Sequence, residues 1–235
     1  MKFKRQIKLD WEKFVPELLE TEKEWDFEGL PVLKARVKLY LPPNEKPWRR
    51  IRSYYALQKR YFLKYCEAEL LPWARSETRV ALENSAPTPY FQAELCAHET
   101  ERSGKIWSLY IEERETGTPD GEFVRRWGDT WDMTTGFAVP LSSLFPARSR
   151  WKACMIDAAR NEIARQERRG EAKYHPGYEK LLKKYWNPRN FYITPEHIAY
   201  FFPMYAIAPA VEKTPVFYLP RDLSNLNFNH QPPPK

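Results

Sequence analysis

Asp129 and Asp132 are the carboxyl groups in this sequence that are best placed to act together on one bond. They lie where a predicted strand ends and a loop begins, beside Trp127 and Trp131. A glycosidase needs two carboxyl groups about 5 to 10 Å apart. The alternative is that both aspartates only shape a turn, which is a common use of this residue. The sequence therefore leaves open a glycan-acting hydrolase that uses Asp129 and Asp132.

Aromatic residues are the other candidates for function. The chain of 235 residues contains 9 Trp, 14 Tyr and 13 Phe, and large rings either fill a core or line a binding surface. Both interpretations stay open. The rings that we predict to contact a ligand lie in a strand before the middle loop and in an aromatic run near the C-terminus: Trp127, Trp131, Tyr200, Phe202 and Tyr205.

Other catalytic or metal-binding patterns are missing. The four histidines do not have the spacing of zinc ligands, and the chain has neither a GxSxG motif nor a glycine-rich phosphate loop. Glu112 and Glu113 are adjacent on a predicted strand, so their side chains point to opposite faces. We therefore expect no metal, no cofactor and no catalytic residue, and a protein that is not an enzyme.

Hydrophobic periodicity predicts the elements that would position these residues. The clearest strand alternates apolar and charged residues from Leu33 to Tyr40. Further strands are predicted at 78–83, 90–98, 106–113, 123–131 and 137–140, with turn residues between them. Two more are predicted at 191–193 and 198–202, on either side of a Thr-Pro-Glu turn. The regular spacing indicates an α+β fold: an antiparallel β-sheet (meander) with two long helices packed against it.

The first long helix is predicted from Pro47 to Leu71, with Pro72 closing it. Its apolar stripe is formed by Tyr54, Leu57, Tyr61, Tyr65 and Ala68, which would pack on the sheet or offer rings to a ligand.

The second long helix is predicted at 150–169, with Gly170 as its C-cap, and a short third helix at 178–186. Alternation of Phe3, Ile7 and Leu9 predicts a strand near the N-terminus, and 16–25 is predicted as a short helix or loop. We expect residues 1–29 to be a segment that packs on a single α+β domain at 30–222, and 223–235 to be a flexible tail.

Composition limits the class of protein. The net charge of +7 is spread along the chain without a basic run or a nucleic-acid motif, so we expect no nucleic-acid partner. No apolar stretch is long enough to span a membrane. The three cysteines do not form a CxxC pair, and the first residues lack the apolar core of a signal peptide. These features predict a cytoplasmic protein.

Two stretches carry a resemblance to a known family. They are DMTTGFAVPLSSLF (132–145) and FYITPEHIAYFFPMYAIAPA (191–210), the latter followed by PVFYLP (215–220). They resemble the RsiV-like family, a domain of unknown function that forms the extracytoplasmic part of a lysozyme-sensing anti-sigma factor. The resemblance implies a non-catalytic binding domain whose partner is a lysozyme-like protein or a cell-wall glycan. The alternatives are the hydrolase above and an intracellular structural or regulatory interaction protein.

Overall fold

A computed structural model of the protein describes residues 14–221. Its largest feature is a main sheet of six strands. In order across the sheet they are β1 (Glu17–Phe27), β2 (Leu30–Leu41), β3 (Phe91–Ser103), β4 (Ile106–Thr118), β5 (Gly121–Asp132) and β6 (Phe137–Ala138). All neighbours pair antiparallel except β2 and β3, which are parallel because a helical crossover separates them. The predicted α+β class with a mostly antiparallel sheet is confirmed, and the meander runs from β3 to β6.

The crossover is one continuous helical rod. It consists of α1 (Arg49–Tyr65), a π-helical segment (Cys66–Leu70) and α2 (Leu71–Glu83). The prediction that Pro72 ends the helix is wrong, and so is the predicted strand at 78–83. Proline lacks the amide hydrogen and would clash with the carbonyl one turn earlier in an α-helix. The wider π segment just before Pro72 avoids that clash, so the helix continues.

The predicted apolar stripe of α1 is only partly correct. Ile51, Tyr55 and Phe62 are the buried residues of α1. Leu57 and Tyr61 are instead 41% and 56% exposed. The helix therefore packs on the sheet through a face that is rotated from the predicted one.

Residues 16–25, predicted as a helix or loop, form most of β1 instead. A two-residue turn joins β1 to β2, and both Glu28 and Gly29 have positive φ (52° and 80°). This backbone matches the twist of a hairpin. Across the pair, Glu22 accepts a hydrogen bond from Arg36 (2.7 Å), and such cross-strand ion pairs stabilise an exposed sheet face. The predicted strand with Phe3 and the tail at 223–235 lie outside the described residues.

A second, three-stranded antiparallel sheet and its helices form most of the remaining described structure. It contains β7 (Phe191–Ile193), β8 (His197–Phe201) and β9 (Val216–Pro220). The helices are α3 (Trp151–Arg169) and α4 (Tyr178–Lys184). The predicted helices, both strands and the left-handed Gly170 cap (φ 65°) are confirmed. The separate sheet was not predicted, and its own hydrophobic core lies against α3 and α4.

The edge strand β7 of the small sheet packs against strands β3, β4 and β5 of the main sheet. Ile193 on β7 donates its amide to the hydroxyl of Ser108 (2.8 Å) and accepts at its carbonyl from Thr100 (2.6 Å). These side chains satisfy backbone groups that would otherwise be buried without a partner. A Cβ at Gly128 would lie 1.7 Å from the carbonyl oxygen of Phe191. Only glycine at this position of β5 allows the two sheets to approach so closely.

Candidate binding groove

A groove of about 810 Å³ opens where the two sheets meet, and we call it the junction groove. One wall is formed by residues 127–131 of β5 and by Tyr54 of α1. The opposite wall is formed by residues 138–142, Trp151 and the turn at 187–191. The groove lies beside the edge of β5, because β6 pairs with β5 only at Trp131 and Asp132. Beyond that pairing β5 has no further strand on this side in the described structure.

Five aromatic residues line the junction groove, and four of them carry its flat surfaces. Trp127 and Trp131 alternate along β5 and share its face towards α1. The ring of Tyr54 contacts Trp131 edge to face, with centroids 5.5 Å apart. On the opposite wall Trp151 stacks nearly parallel to Phe145 at 5.5 Å, which fixes its orientation. The groove thus presents flat apolar surfaces from both sides.

Asp129 stands between the two tryptophans on the same face of β5 and is held by a chain of hydrogen bonds. The indole N–H of Trp131 donates to the hydroxyl of Tyr55 (2.7 Å), and that hydroxyl donates to Asp129 Oδ2 (3.1 Å). The hydroxyl of Tyr54 lies beside the same carboxyl group. The buried Nε1 of Trp127 lies next to Tyr54 but makes no hydrogen bond of normal geometry within residues 14–221.

The electrostatics of this carboxyl group are unusual. Burial raises the pKa of Asp129 to about 7, and hydrogen bonding from Tyr55 and Tyr54 lowers it only in part. The nearest groups are neutral donors, and among the described residues no cation compensates for the lost hydration. Asp129 therefore binds or loses a proton near neutral pH while a small part of its surface opens onto the groove.

The turn at 187–191 adds the polar groups of the opposite wall. The side chain of Asn187 accepts a hydrogen bond from the amide of Arg189 (3.0 Å), and its carbonyl accepts from the amide of Asn190 (3.0 Å). These bonds fix the backbone just before β7. Arg189 and Asn190 both line the groove, so a rigid turn presents a cation and an amide to it.

The predicted contact residues separate into three groups. Trp127 and Trp131 line the junction groove, although Trp131 is also part of the main core and only 9% of its surface is exposed. Tyr200 and Phe202 lie in the second core with 2% and 1% of their surface exposed, and the Tyr200 hydroxyl donates to the carbonyl of Met155 (2.7 Å). Tyr205 is half exposed on a loop outside the groove. The structure brings together only the two tryptophans.

The predicted pair of aspartates does not converge. Asp129 faces α1, whereas Asp132 lies three residues further along β5 and faces the other way. The Oδ1 of Asp132 accepts a hydrogen bond from the amide of Thr134 (2.8 Å), so this carboxylate shapes the turn after β5. Asp129 is the one acidic residue among the described residues that line the groove.

Sequence reasoning missed Trp151, Arg189 and the role of Tyr55. The sequence does indicate one wall of the groove, because Trp127, Asp129 and Trp131 alternate in the stretch WGDTW and therefore share one face of a strand. No local pattern links that stretch to the turn at 187–190, which comes about sixty residues later.

Between residues 14 and 221, no group of three or more His, Cys, Asp or Glu side chains is arranged to hold a metal ion. None of the helices in that range combines the length and the hydropathy that a membrane-spanning helix requires.

The comparison with protein families gives a match in the second half of the chain. Residues 142–222 match the model of a family described as a protein of unknown function, DUF3298. This segment contains α3, α4, the small sheet and most of the opposite wall of the junction groove. No match was found among curated proteins.

Two solved structures resemble nearly the whole chain. A member of the DUF3298 family from Bacteroides fragilis is 11% identical with a TM-score of 0.57, and the match covers 90% of this chain and 92% of that one. A DUF3298 family protein from Pseudomonas aeruginosa is 13% identical with a TM-score of 0.56, and the match covers 89% and 91%. Neither match distinguishes an RsiV-like protein from other DUF3298 proteins. The chain thus shares the fold of DUF3298 proteins, and its residues 142–222 match that family.

Proposed function

We propose that this protein is a non-catalytic binding domain and that a glycan binds in the junction groove. The observation that carries the proposal is the pair Trp127 and Trp131 on one wall, with the polar group of Asp129 between them. A volume of 810 Å³ lies within the range of about 300 to 1,000 Å³ that is common for small-molecule sites.

The chemistry of the walls suits a sugar. A pyranose ring has apolar C–H faces and polar edges, so it matches flat rings that are flanked by hydrogen-bonding groups. Trp127, Trp131 and Trp151 supply the flat rings, while Asp129 and Asn190 supply polar groups at their margins. Binding sites in general combine mostly apolar walls with a few fixed polar groups.

The RsiV-like resemblance implied a lysozyme-like protein or a cell-wall glycan as partner. The concave shape of the groove favours the glycan, because a protein surface needs a wider area of contact than a groove of this size. Lysozyme remains the comparison to run beside glycans, since it would reveal a protein partner that uses the same aromatic residues.

Calorimetric titration with N-acetylglucosaminyl-N-acetylmuramic acid fragments tests the proposal. Trp127→Ala should weaken binding at least about tenfold, because tryptophans in a binding site often account for more than 1.4 kcal/mol each. Tyr205→Ala is the control, since Tyr205 is an exposed ring outside the groove. Equal losses in both variants, or no binding by the unmodified protein, would contradict the proposal.

A second candidate is the hydrolase in which Asp129 acts as a general acid. The observation in its favour is the pKa of about 7, which suits a group that must donate a proton near neutral pH. The orientation of Asp132 counts against it, because a glycosidase uses both carboxyl groups on one bond. The hydrolase would be favoured over the binding domain if the unmodified protein hydrolyses a glycan and if both Asp129→Asn and Asp132→Asn abolish that activity.

A further inference from the structure

We propose that Arg189 makes the junction groove selective for glycans that bear a carboxylate. This inference rests on the proposed function, and it names the chemical class of the ligand. Arg189 lines the groove from the turn at 187–191 and is exposed. Within residues 14–221 its guanidinium group forms neither a salt bridge nor a side-chain hydrogen bond.

The other arginines near this part of β5 are already paired. Arg125 forms a salt bridge with Glu113, and Arg126 bonds to Glu112 (2.7 Å). Acidic residues of the neighbouring strand β4 therefore balance the charges of these two arginines. Arg189 is therefore the cation at the groove whose charge the described protein does not balance, and an anionic ligand would supply its partner.

The acidic side of the groove does not neutralise Arg189. Asp129 is the one carboxyl group among the lining residues that the structure describes, and it lies on the opposite wall against Tyr55. Burial also raises the pKa of Asp129 to about 7, so this carboxyl group keeps its proton below that pH. Below that pH a bound ligand thus meets a positive charge at Arg189 and a neutral group at Asp129.

Geometry favours a carboxylate as the partner. A guanidinium group forms two parallel hydrogen bonds with a planar carboxylate, which lysine or an amide does not reproduce. The bonds between Asn187 and the amides of Arg189 and Asn190 hold the turn in place. A sugar ring that lies against Trp151 would bring an acidic substituent towards this turn, since both belong to the same wall.

A matched pair of ligands tests the inference. The acid is N-acetylglucosaminyl-N-acetylmuramic acid, and its neutral counterpart is the methyl ester of the same disaccharide. The full chain should bind the acid about tenfold more tightly than the ester at low salt, and added salt should reduce that ratio. Arg189→Gln should bring the ratio close to one without changing the affinity for the ester. Arg75→Gln, on the exposed surface of α2, is the control and should leave the ratio unchanged.

The outcomes separate this inference from the proposed function. If acid and ester bind equally well, or if Arg189→Gln keeps the preference for the acid, the inference is wrong while glycan binding stands. If neither disaccharide binds at millimolar concentration, the proposed function fails and the inference fails with it. Retained binding of the ester by Arg189→Gln shows that the variant is folded.

Discussion

Replacing Asp129 by asparagine should stabilise the protein increasingly as the pH rises. In an unfolded chain the carboxyl group titrates near 3.8, and in the folded protein its pKa is about 7. Because the folded pKa is the higher one, the folded state keeps a proton that the unfolded chain has lost between these two values. The contribution of Asp129 to stability therefore falls as the pH rises from about 4 to 7, and it is constant above 7.

The size of the effect follows from the two pKa values. They differ by about 3, and at about 1.36 kcal/mol for each pKa unit this corresponds to at most about 4 kcal/mol. Water in the junction groove screens part of it, because Asp129 is not fully enclosed. Between pH 5 and 8 the free energy of unfolding of Asp129→Asn should gain up to about 3 kcal/mol relative to the unmodified protein.

Urea unfolding of both proteins, followed by tryptophan fluorescence at several pH values, measures this difference. Other carboxylates, such as Glu112 with its lowered pKa, contribute equally to both curves and cancel. Asp132→Asn is the matched control, because it removes a carboxylate at the end of the same strand. Parallel stability curves for the unmodified protein and Asp129→Asn between pH 5 and 8 would refute the assignment of Asp129 as a buried, proton-binding group.

Three further substitutions test the frame around the groove. Gly128→Ala should unfold the protein or destabilise it by more than about 3 kcal/mol in urea unfolding, because the new Cβ overlaps a backbone carbonyl of β7. Ser108→Ala should cost about 1 to 3 kcal/mol by the same measurement, since the buried amide of Ile193 loses its acceptor. Tyr55→Phe should raise the pKa of Asp129 further, because the carboxylate loses a donor, and the pH dependence of stability should shift to match.

These predictions have controls within the chain. Gly104→Ala introduces a Cβ that meets no atom within 4 Å, so its cost comes from the positive φ of Gly104 (53°) and not from a clash. Ser143→Ala removes a hydroxyl on the surface and should change stability by less than about 0.5 kcal/mol. A loss at Gly128 no larger than the loss at Gly104 would contradict the close contact between the two sheets.

Strong local patterns made much of the fold predictable. The alternation in β2 and the length of α3 with its glycine cap each come from one stretch of chain, so the sequence alone determines them. Pro72 misled the prediction because a π segment is a change in backbone geometry that no propensity encodes. Strand β1 was missed because Thr21 and Lys23 interrupt the apolar face that Leu19, Trp25 and Phe27 turn towards the core, which weakens the alternation in the sequence.

The candidate site was less predictable than the fold. Trp127 and Trp131 could be chosen because they flank a carboxyl group within one strand. Tyr200 and Phe202 were also predicted to contact a ligand, but they lie in a core. Rings that fill a core and rings that line a groove cannot be told apart from the sequence. Trp151 and Arg189 reach the groove only through the packing of the second sheet on the first, which involves contacts far apart in the chain.

The indole N–H signals of the nine tryptophans offer the most direct test of a glycan in the junction groove. A two-dimensional ¹H–¹⁵N spectrum, recorded while N-acetylglucosaminyl-N-acetylmuramic acid is added, follows all of them at once. We predict that the signals of Trp127, Trp131 and Trp151 shift with one common dissociation constant, while that of Trp73, which lies on α2 and packs against Phe91, stays in place. Unchanged signals from the three groove tryptophans, or shifts confined to tryptophans elsewhere, would contradict the proposal.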